Sequence, residues 1–284
     1  MEAMGHPRLG LPVRTPSATT ASRWHDLFRT LAGRGTPNVG AGIAVLDRAL
    51  SAGAVPFEAV VGAPWHEFGA RLTLDAGAAP QEVARALGIE AHRWGPPAWA
   101  GLRLGPDGAI VIKPYHRAAG TAGDLGHPLQ LPAGMPGELR PVMAAEHRGT
   151  RELYARLEAE RPWSWFAGRA LELVGHDVPR FGFAPHPRPA ASGFGLGLTW
   201  TGALVTAVTV YAGGQCLDDD AAVRGAWLSD MDEDDRRAYA LALAGVSAAG
   251  PAGPRGQHAI CWWTFTRSGA RRRAVSLRLP PAGW

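Results

Sequence analysis

A lysine and a tyrosine two residues apart, Lys113 and Tyr115, are the side chains in this sequence best suited to hold a phosphate group. Lys113 is the only lysine, and the other residues counted with it as basic are all arginines. It lies in a strand-like run at 109–117. A lysine is a compact point charge and an arginine a broad planar fork, so a narrow site that neutralises one phosphate oxygen favours lysine. Two interpretations stay open, a functional lysine or chance placement of one codon.

The predicted strands each divide into an aliphatic and a polar face, because side chains alternate across a strand. In the run at 109–117, Lys113 and Tyr115 share the polar face. The polar faces of the other predicted strands carry Arg71, Thr73, Asp75, Arg103, Thr209, Tyr211, Arg272, Ser276 and Arg278. An open sheet would turn these faces to solvent. A closed sheet with helices outside would bring them together in a lumen whose positive charge suits a diphosphate.

The elements that must position these residues repeat a simple unit, a helix followed by an antiparallel hairpin. Hydrophobic spacing predicts helices over 21–51, with a break between Gly33 and Asn38, over 80–88, over 140–174, and from about 230 to 247. Alternation and turn residues predict strands at 66–75, 101–104, 109–117, 180–184, 193–200, 203–211, 258–266 and 271–279. Sheets of about eight such strands tend to curl or close. We therefore predict an α+β fold, an antiparallel β-barrel with a polar lumen surrounded by helices.

Composition limits the kind of protein this is. The first 20 residues lack an apolar core and predict a flexible tail, and 21–284 predict a single barrel domain. Cys216 and Cys261 lie far apart, which excludes a disulfide framework and favours a cytoplasmic protein. No window approaches a membrane span. The net charge of +4 comes from scattered arginines, whereas a nucleic-acid binder has a concentrated basic face, so we expect acidic small substrates and no nucleic-acid or membrane partner.

Three further patterns indicate structure rather than chemistry. The run Asp218–Asp220 follows a strand and predicts a solvated loop. The acidic cluster at 230–235 suits the first turn of a helix. The alternating glycines at 193–197 precede no helix, so they form no dinucleotide loop. Gly195 and Gly197 share one face and would leave space in a lumen.

The triplet Lys113-Pro114-Tyr115, the helix-hairpin units and the Tyr and Arg residues on successive strands resemble the ABBA-type soluble aromatic prenyltransferases. The triplet matches the lysine and tyrosine that bind diphosphate in the indole-prenylating branch. Tyr211 ends a second such motif, in which Thr209 replaces the lysine. The length is closer to the peptide-modifying cyanobactin enzymes. The resemblance covers roughly 40–280, with eight predicted strands where the family has ten.

The resemblance implies transfer of a dimethylallyl or longer prenyl group from an allylic diphosphate to an electron-rich side chain of a peptide or aromatic acceptor. Glu58 is similar in place to an acidic residue that touches the acceptor, and Glu67 is the second candidate. The implied diphosphate ligands are Arg71, Lys113, Tyr115, Tyr211 and Arg278, followed by Arg103 and Arg273. The implied prenyl and acceptor pocket contains Trp262, Thr209 and Thr264.

Several alternatives remain open at this point. The cations hold the diphosphate alone, or share it with Mg²⁺ bound only through the substrate, and no metal ligands on the protein are predicted. A non-catalytic barrel that binds an anionic or lipid ligand needs the same cations but not Glu58. An open-sheet interaction protein would place the basic face in solvent, where it could touch nucleic acid.

Overall fold

Ten antiparallel strands form a closed barrel in the computed structural model, which describes residues 18–33, 35–92, 94–118, 139–157, 168, 171–175, 195–213, 217–218, 221–229, 231–249 and 257–279. Each strand pairs with its neighbours in sequence, and β1 closes the barrel by pairing with both β2 and β10. The strands are β1 (Val55–Ala63), β2 (Ala70–Asp75), β3 (Trp99–Leu104), β4 (Ile110–Arg117), β5 (Leu139–His147), β6 (Thr150–Leu157), β7 (Gly195–Thr201), β8 (Leu204–Gly213), β9 (His258–Thr266) and β10 (Arg271–Arg278). The predicted barrel is confirmed, and the open-sheet alternative is wrong because no edge of the sheet is left unpaired.

The helices lie outside the barrel and cover its aliphatic face. The helices whose bounds lie within the described ranges are α1 (Ala18–Ala32), α2 (Val39–Ser51), α3 (Trp65–Phe68), α4 (Pro80–Ala86), α5 (Ala221–Ser229) and α6 (Glu233–Ala249). Phe28 and Leu46 of these helices pack with Leu72 and Leu102 of the strands, and all four are fully buried. Burying each leucine contributes about 2 kcal/mol. This packing leaves the opposite, polar face of every strand to the lumen. None of the helices in the described ranges has the length and apolar character to cross a membrane.

Glycine allows the chain to reverse where the hairpins turn. Gly108, with φ of 79°, closes the turn between β3 and β4, and the side chain of Asn38 donates a hydrogen bond to its carbonyl oxygen at 3.1 Å. Arg148 and Gly149 form the turn between β5 and β6, with φ of 50° and 76°. Positive φ at both central residues is typical of the tight turn that matches the twist of a two-stranded ribbon. These turns set the register that decides which side chains reach the lumen.

The largest error of the sequence prediction is the first part of the helix over 140–174, since residues 168 and 171–172 near its end are helical. Residues 139–157 instead form the hairpin of β5 and β6. The segment is rich in Ala, Glu, Arg and Leu, which favour helices, but pairing with β4 and β7 overrides that weak preference. The second error lies at 66–75, where α3 precedes β2, and β1 was not predicted at all.

Other predictions of elements are confirmed, with small shifts in their bounds. The helix over 21–51 is broken as expected, into α1 and α2, and α1 begins at Ala18. Asp232 accepts a hydrogen bond from the main-chain N–H of Asp235 at 2.8 Å, so the acidic cluster caps α6 as predicted. Asp218 is not in a solvated loop, since it lies 2.6 Å from Nδ1 of the buried His258. The strand at 180–184 and the tail at 1–17 lie outside the described residues.

Candidate active site in the barrel lumen

Lys113 lies inside the barrel, at the centre of β4. It contacts β6, which is two strands away, and such a contact is possible only across the concave inner side of a closed sheet. Its Nζ donates a hydrogen bond to the Tyr154 hydroxyl at 3.0 Å and forms an ion pair with the carboxylate of Glu152. The Tyr154 hydroxyl donates to the same carboxylate oxygen. The three polar groups therefore form one closed cluster in the lumen wall.

Two arginines extend this cluster of positive charge. Arg71 of β2 and Arg103 of β3 are direct cross-strand partners, an arrangement that places like charges side by side. Burial, followed by the charge of Arg103, lowers the pKa of Arg71 to about 9, and burial also lowers the pKa of Arg103. The buried Nε of Arg71 has no hydrogen-bond partner among the described residues. Two adjacent guanidinium groups, one of which has an N–H donor without a partner among the described residues, form a site suited to an anion.

A belt of four aromatic rings lines the lumen next to these cations. Tyr115, Tyr154, Tyr211 and Trp262 follow one another around the wall, with 5.9 Å between the ring centroids of each successive pair. Burial, with the nearby Glu152 charge, raises the pKa values of Tyr154 and Tyr211, so both phenols stay protonated at neutral pH. Lys113 Nζ lies 5.1 Å from the Tyr115 ring centroid. The belt presents neutral, electron-rich faces next to the cations.

Glycines make room for two of these rings. A Cβ built on Gly197 would lie 3.0 Å from the Tyr211 ring, and one on Gly101 would lie 3.2 Å from the Tyr115 ring. Each tyrosine thus lies over a glycine of the neighbouring strand. Gly195 also has a lumen-facing position, and a Cβ built on it would lie 3.4 Å from Cβ of Tyr211. The expectation that these glycines leave lumen space is supported by their contacts with Tyr211.

Glu58 faces the lumen two residues along β1 from Val60, the partner of Arg71. It is the cross-strand partner of Arg278 on β10 and of Thr73 on β2, and Thr73 is in register with Gly101 and Lys113. Burial raises the pKa of Glu58 to about 7, although a hydrogen bond from Ser276 and the charge of Arg278 act in the opposite direction. Ser276 is fully buried, and its hydroxyl accepts the Ile260 N–H at 3.2 Å. Glu58 is thus a carboxyl group that is positioned by Ser276 and Arg278 and that exchanges its proton near neutral pH.

The raised pKa of Glu58 gives a testable effect on stability. In the unfolded chain the group titrates near 4.5 and in the folded protein near 7, so the stabilising effect of the bound proton is complete below pH 4.5 and is lost as the pH rises through 7. Glu58→Gln removes this titration. We expect the difference in melting temperature, variant minus unmodified protein, to be more positive at pH 8 than at pH 5. Melting curves of both proteins at both pH values measure it. An equal difference in melting temperature at both values would contradict the raised pKa.

The structure places the predicted site residues in two groups and leaves one outside. Arg71, Arg103 and Lys113 belong to the cation cluster, and Tyr115, Tyr211 and Trp262 belong to the aromatic belt. Thr209 and Thr264 face each other in the lumen, 2.9 Å between hydroxyl oxygens.

Arg278 and Arg273 differ from this group. Arg278 lies beside Glu58 and donates to the His258 carbonyl oxygen at 2.7 Å, so it belongs with Glu58 and not with the cation cluster. Arg273 points outward, where it donates to the Trp227 carbonyl oxygen of α5 at 3.3 Å. The prediction that Arg273 reaches the lumen is wrong, because alternation puts it on the face of Val275. The side chain of Glu67 lies outside the described part of the structure.

Sequence reasoning missed Glu152 and Tyr154. Both lie in the segment predicted as a helix. The signal was present as strict alternation, because Glu152, Tyr154 and Arg156 are separated by Leu153 and Ala155. A period of two over these residues, after a glycine at 149, indicates a strand that follows a turn.

Glu152, a carboxylate close to the cations, is bound by Lys113 and Tyr154. Across the described ranges, no group of three or more His, Cys, Asp or Glu side chains is arranged to hold a metal ion.

Comparison with solved structures gives several matches over nearly the whole chain. The prenyltransferase PriB in its apo form matches with a TM-score of 0.64 and 18% identity, over 93% of this chain and 99% of that chain. The 5-dimethylallyltryptophan synthase from Streptomyces coelicolor matches with a TM-score of 0.62 and 16% identity, over 91% and 97%. The 6-dimethylallyltryptophan synthase from Micromonospora olivasterospora, solved with DMASPP and Trp, matches with a TM-score of 0.59 and 16% identity, over 92% and 96%.

Sequence comparison adds no closer assignment, since neither a family model nor a curated protein matches the chain. At identities of 16% to 18% the structural likeness establishes the fold. The chain has the ten-stranded antiparallel barrel fold of the ABBA-type aromatic prenyltransferases.

Proposed function

We propose that this protein transfers a prenyl group from an allylic diphosphate to an electron-rich aromatic acceptor. The observation that carries the proposal is that one closed lumen holds the three kinds of group that such a reaction needs. Lys113, Arg71 and Arg103 supply positive charge, three tyrosines and a tryptophan form a continuous aromatic belt, and Glu58 supplies a carboxyl group. These groups match the charges that develop in the reaction.

The cations act on the first step, cleavage of the bond between the allylic carbon and the diphosphate oxygen. The electron pair leaves with the diphosphate, so negative charge grows on the leaving group. Preplaced cations in a site of low water content stabilise that charge, usually the largest single contribution to such catalysis. Arg71 has a donor to spare, and Arg103 stands beside it. PriB has been solved in complex with product diphosphate, which supports testing the same ligand here.

The aromatic belt acts on the allylic cation. Electron-rich ring faces attract a cation, and a lumen closed by rings keeps water from capturing it. Tyr115, Tyr154, Tyr211 and Trp262 form a continuous belt on the lumen wall. Burial raises the pKa values of Tyr154 and Tyr211, which keeps these two phenols neutral. A phenolate would instead be a competing nucleophile.

Glu58 acts on the acceptor. Its carboxylate accepts a hydrogen bond from the acceptor and raises the nucleophilicity of the ring. The ring carbon attacks the allylic cation, a carbon–carbon bond forms, and the proton lost from the acceptor passes to Glu58. A carboxyl group with a pKa of about 7 suits such proton exchange at neutral pH. Arg278 and Ser276 hold the carboxylate in place.

The direct test is incubation with dimethylallyl diphosphate and a panel of acceptors, followed by mass spectrometry for the gain of one prenyl unit. PriB has been solved with L-tryptophan and dimethylallyl thiolodiphosphate, so free tryptophan comes first, then other aromatic amino acids and tryptophan- or tyrosine-containing peptides. Parallel reactions with EDTA or added Mg²⁺ decide between a diphosphate held by the protein alone and one shared with a metal. Diphosphate binding without any product would favour the non-catalytic barrel.

Tyr211 provides a test of whether the aromatic belt keeps water from the allylic cation. Tyr211→Leu is expected to increase the share of dimethylallyl alcohol, the product of water capture, at least about tenfold relative to the prenylated acceptor, because the ring face is lost. Tyr211→Phe keeps the ring and is expected to keep the product ratio close to that of the unmodified protein. Chromatography of both products measures the ratio. An equal share of dimethylallyl alcohol in the two variants would show that the Tyr211 ring does not protect the allylic cation from water.

A further inference from the structure

Lys113, the central cation of the lumen, is already engaged by a carboxylate of the protein. Glu152 forms an ion pair with Lys113 and also accepts the Tyr154 hydroxyl hydrogen bond. The side chains of Lys113 and Glu152 are 16% and 19% exposed, so both face the lumen and remain reachable by a ligand. An acidic group thus lies in the place where a phosphate group would contact Lys113.

The carboxylate is ionised at neutral pH. Burial by itself would raise the pKa of Glu152, but the charge and hydrogen bond of Lys113, the hydrogen bond from Tyr154 and the charge of Arg103 together lower it. Glu152 also interacts with the charge of Arg71. One carboxylate is therefore shared by three cations, which leaves the cluster with a net positive charge that a diphosphate can neutralise.

An incoming diphosphate meets both an attraction and a repulsion in this cluster. Arg71 and Arg103 attract it, and the buried Nε of Arg71 has no partner among the described residues. A phosphate oxygen that binds Lys113 must displace the Glu152 oxygen from it or lie beside that oxygen. Two negative oxygens in contact repel each other strongly in a part-buried site.

We propose that Glu152 is an internal anion that competes with diphosphate for Lys113 and so limits the affinity of the lumen for the donor and for released pyrophosphate. This inference rests on the proposed function of the lumen as a diphosphate site. Glu152 positions Lys113 while the site is empty. After bond cleavage it weakens the binding of the released pyrophosphate to Lys113. The ion pair of Lys113 and Glu152 thus promotes the exchange of diphosphate ligands and is not only a structural salt bridge.

The experiment measures binding of inorganic pyrophosphate by isothermal titration calorimetry at fixed pH and ionic strength. Glu152→Gln keeps the size of the side chain and its capacity to accept from Tyr154, but it removes the competing charge. We expect this variant to bind pyrophosphate about ten- to a hundredfold more tightly than the unmodified protein. Glu146→Gln is the matched control, since Glu146 lies one strand away on β5, on the outer face near His92. The control is expected to leave the dissociation constant unchanged.

The outcomes separate this inference from the proposed function. Tighter binding by Glu152→Gln, with no change in Glu146→Gln and loss of binding in Lys113→Ala, supports the competing anion. Equal or weaker binding by Glu152→Gln, while the unmodified protein still binds pyrophosphate through Lys113, overturns the inference and leaves the diphosphate site standing. Absence of binding in all four proteins overturns the diphosphate site and the inference with it. Melting curves of every variant establish that the compared proteins are folded.

Discussion

Lys113→Ala is expected to lower kcat/KM for prenyl transfer by about 10²- to 10³-fold, because the variant loses a preplaced cation where the leaving diphosphate gathers charge. The side chain lies inside the barrel and reaches across to β6. The measurement is steady-state kinetics with dimethylallyl diphosphate and the acceptor found in the panel. Lys113→Arg is expected to restore little activity, since a planar fork does not fit where Tyr154 and Glu152 enclose a compact ammonium group.

The controls for Lys113 address charge and folding separately. Arg273→Ala removes a cation from the outer face, where it donates to the Trp227 carbonyl oxygen, and kcat/KM should stay unchanged. Lys113→Ala leaves Glu152 without its main counter-ion, which destabilises a part-buried carboxylate. The double variant Lys113→Ala with Glu152→Gln removes both charges and keeps the measurement possible if the single variant unfolds. Full turnover in either folded variant would remove Lys113 from the site.

Glu58→Gln is expected to reduce kcat/KM by about 10²- to 10⁴-fold, the usual range for loss of a positioned acid–base group. Because burial raises the pKa of Glu58 to about 7, the carboxylate form disappears as the pH falls below that value. The unmodified protein should therefore lose activity toward acid, with a half-point near pH 7 in the kcat/KM profile of the free enzyme. In Glu58→Gln this acid limb should be absent, since glutamine does not titrate.

A second variant ties the pH profile to the geometry of Glu58. Ser276 donates a hydrogen bond to the carboxylate and lowers its pKa. Ser276→Ala removes that hydrogen bond, so the half-point of the acid limb should move to higher pH without loss of the limb itself. A profile that is unchanged in Ser276→Ala and in Glu58→Gln would assign the titration to another group. A flat profile in the unmodified protein would contradict the role of Glu58.

In the proposed reaction, the lumen offers different groups to reactants of opposite character. Arg71 and Arg103 suit a highly charged group, and Glu58 suits a neutral ring with a polar hydrogen. Phe68 of α3 packs against Gly62, and its ring centroid lies 4.4 Å from the Arg71 guanidinium carbon. A side chain at position 62 would collide with the Phe68 ring, so glycine is required there.

Local sequence pattern predicted the parts of the fold that depend on neighbouring residues. Alternation separated Lys113 and Tyr115 from Ile110 and Ile112, and the structure confirms this division in β4. The same rule already placed Arg273 with Val275, and its inclusion among the lumen residues contradicted that rule. Alternation at Glu152 and Tyr154 was also present, but helix-favouring composition concealed it.

Contacts between distant strands could be decided only by the tertiary structure. The ion pair of Lys113 and Glu152 joins residues 39 positions apart, and it exists because the sheet closes and brings the inner faces of β4 and β6 together. Strand registers and closure arise from pairing energies summed over the whole barrel, which no local window contains. The sequence by itself therefore determined which side chains share a face of each strand. The closed barrel decided which of them meet, and it placed a carboxylate beside the only lysine.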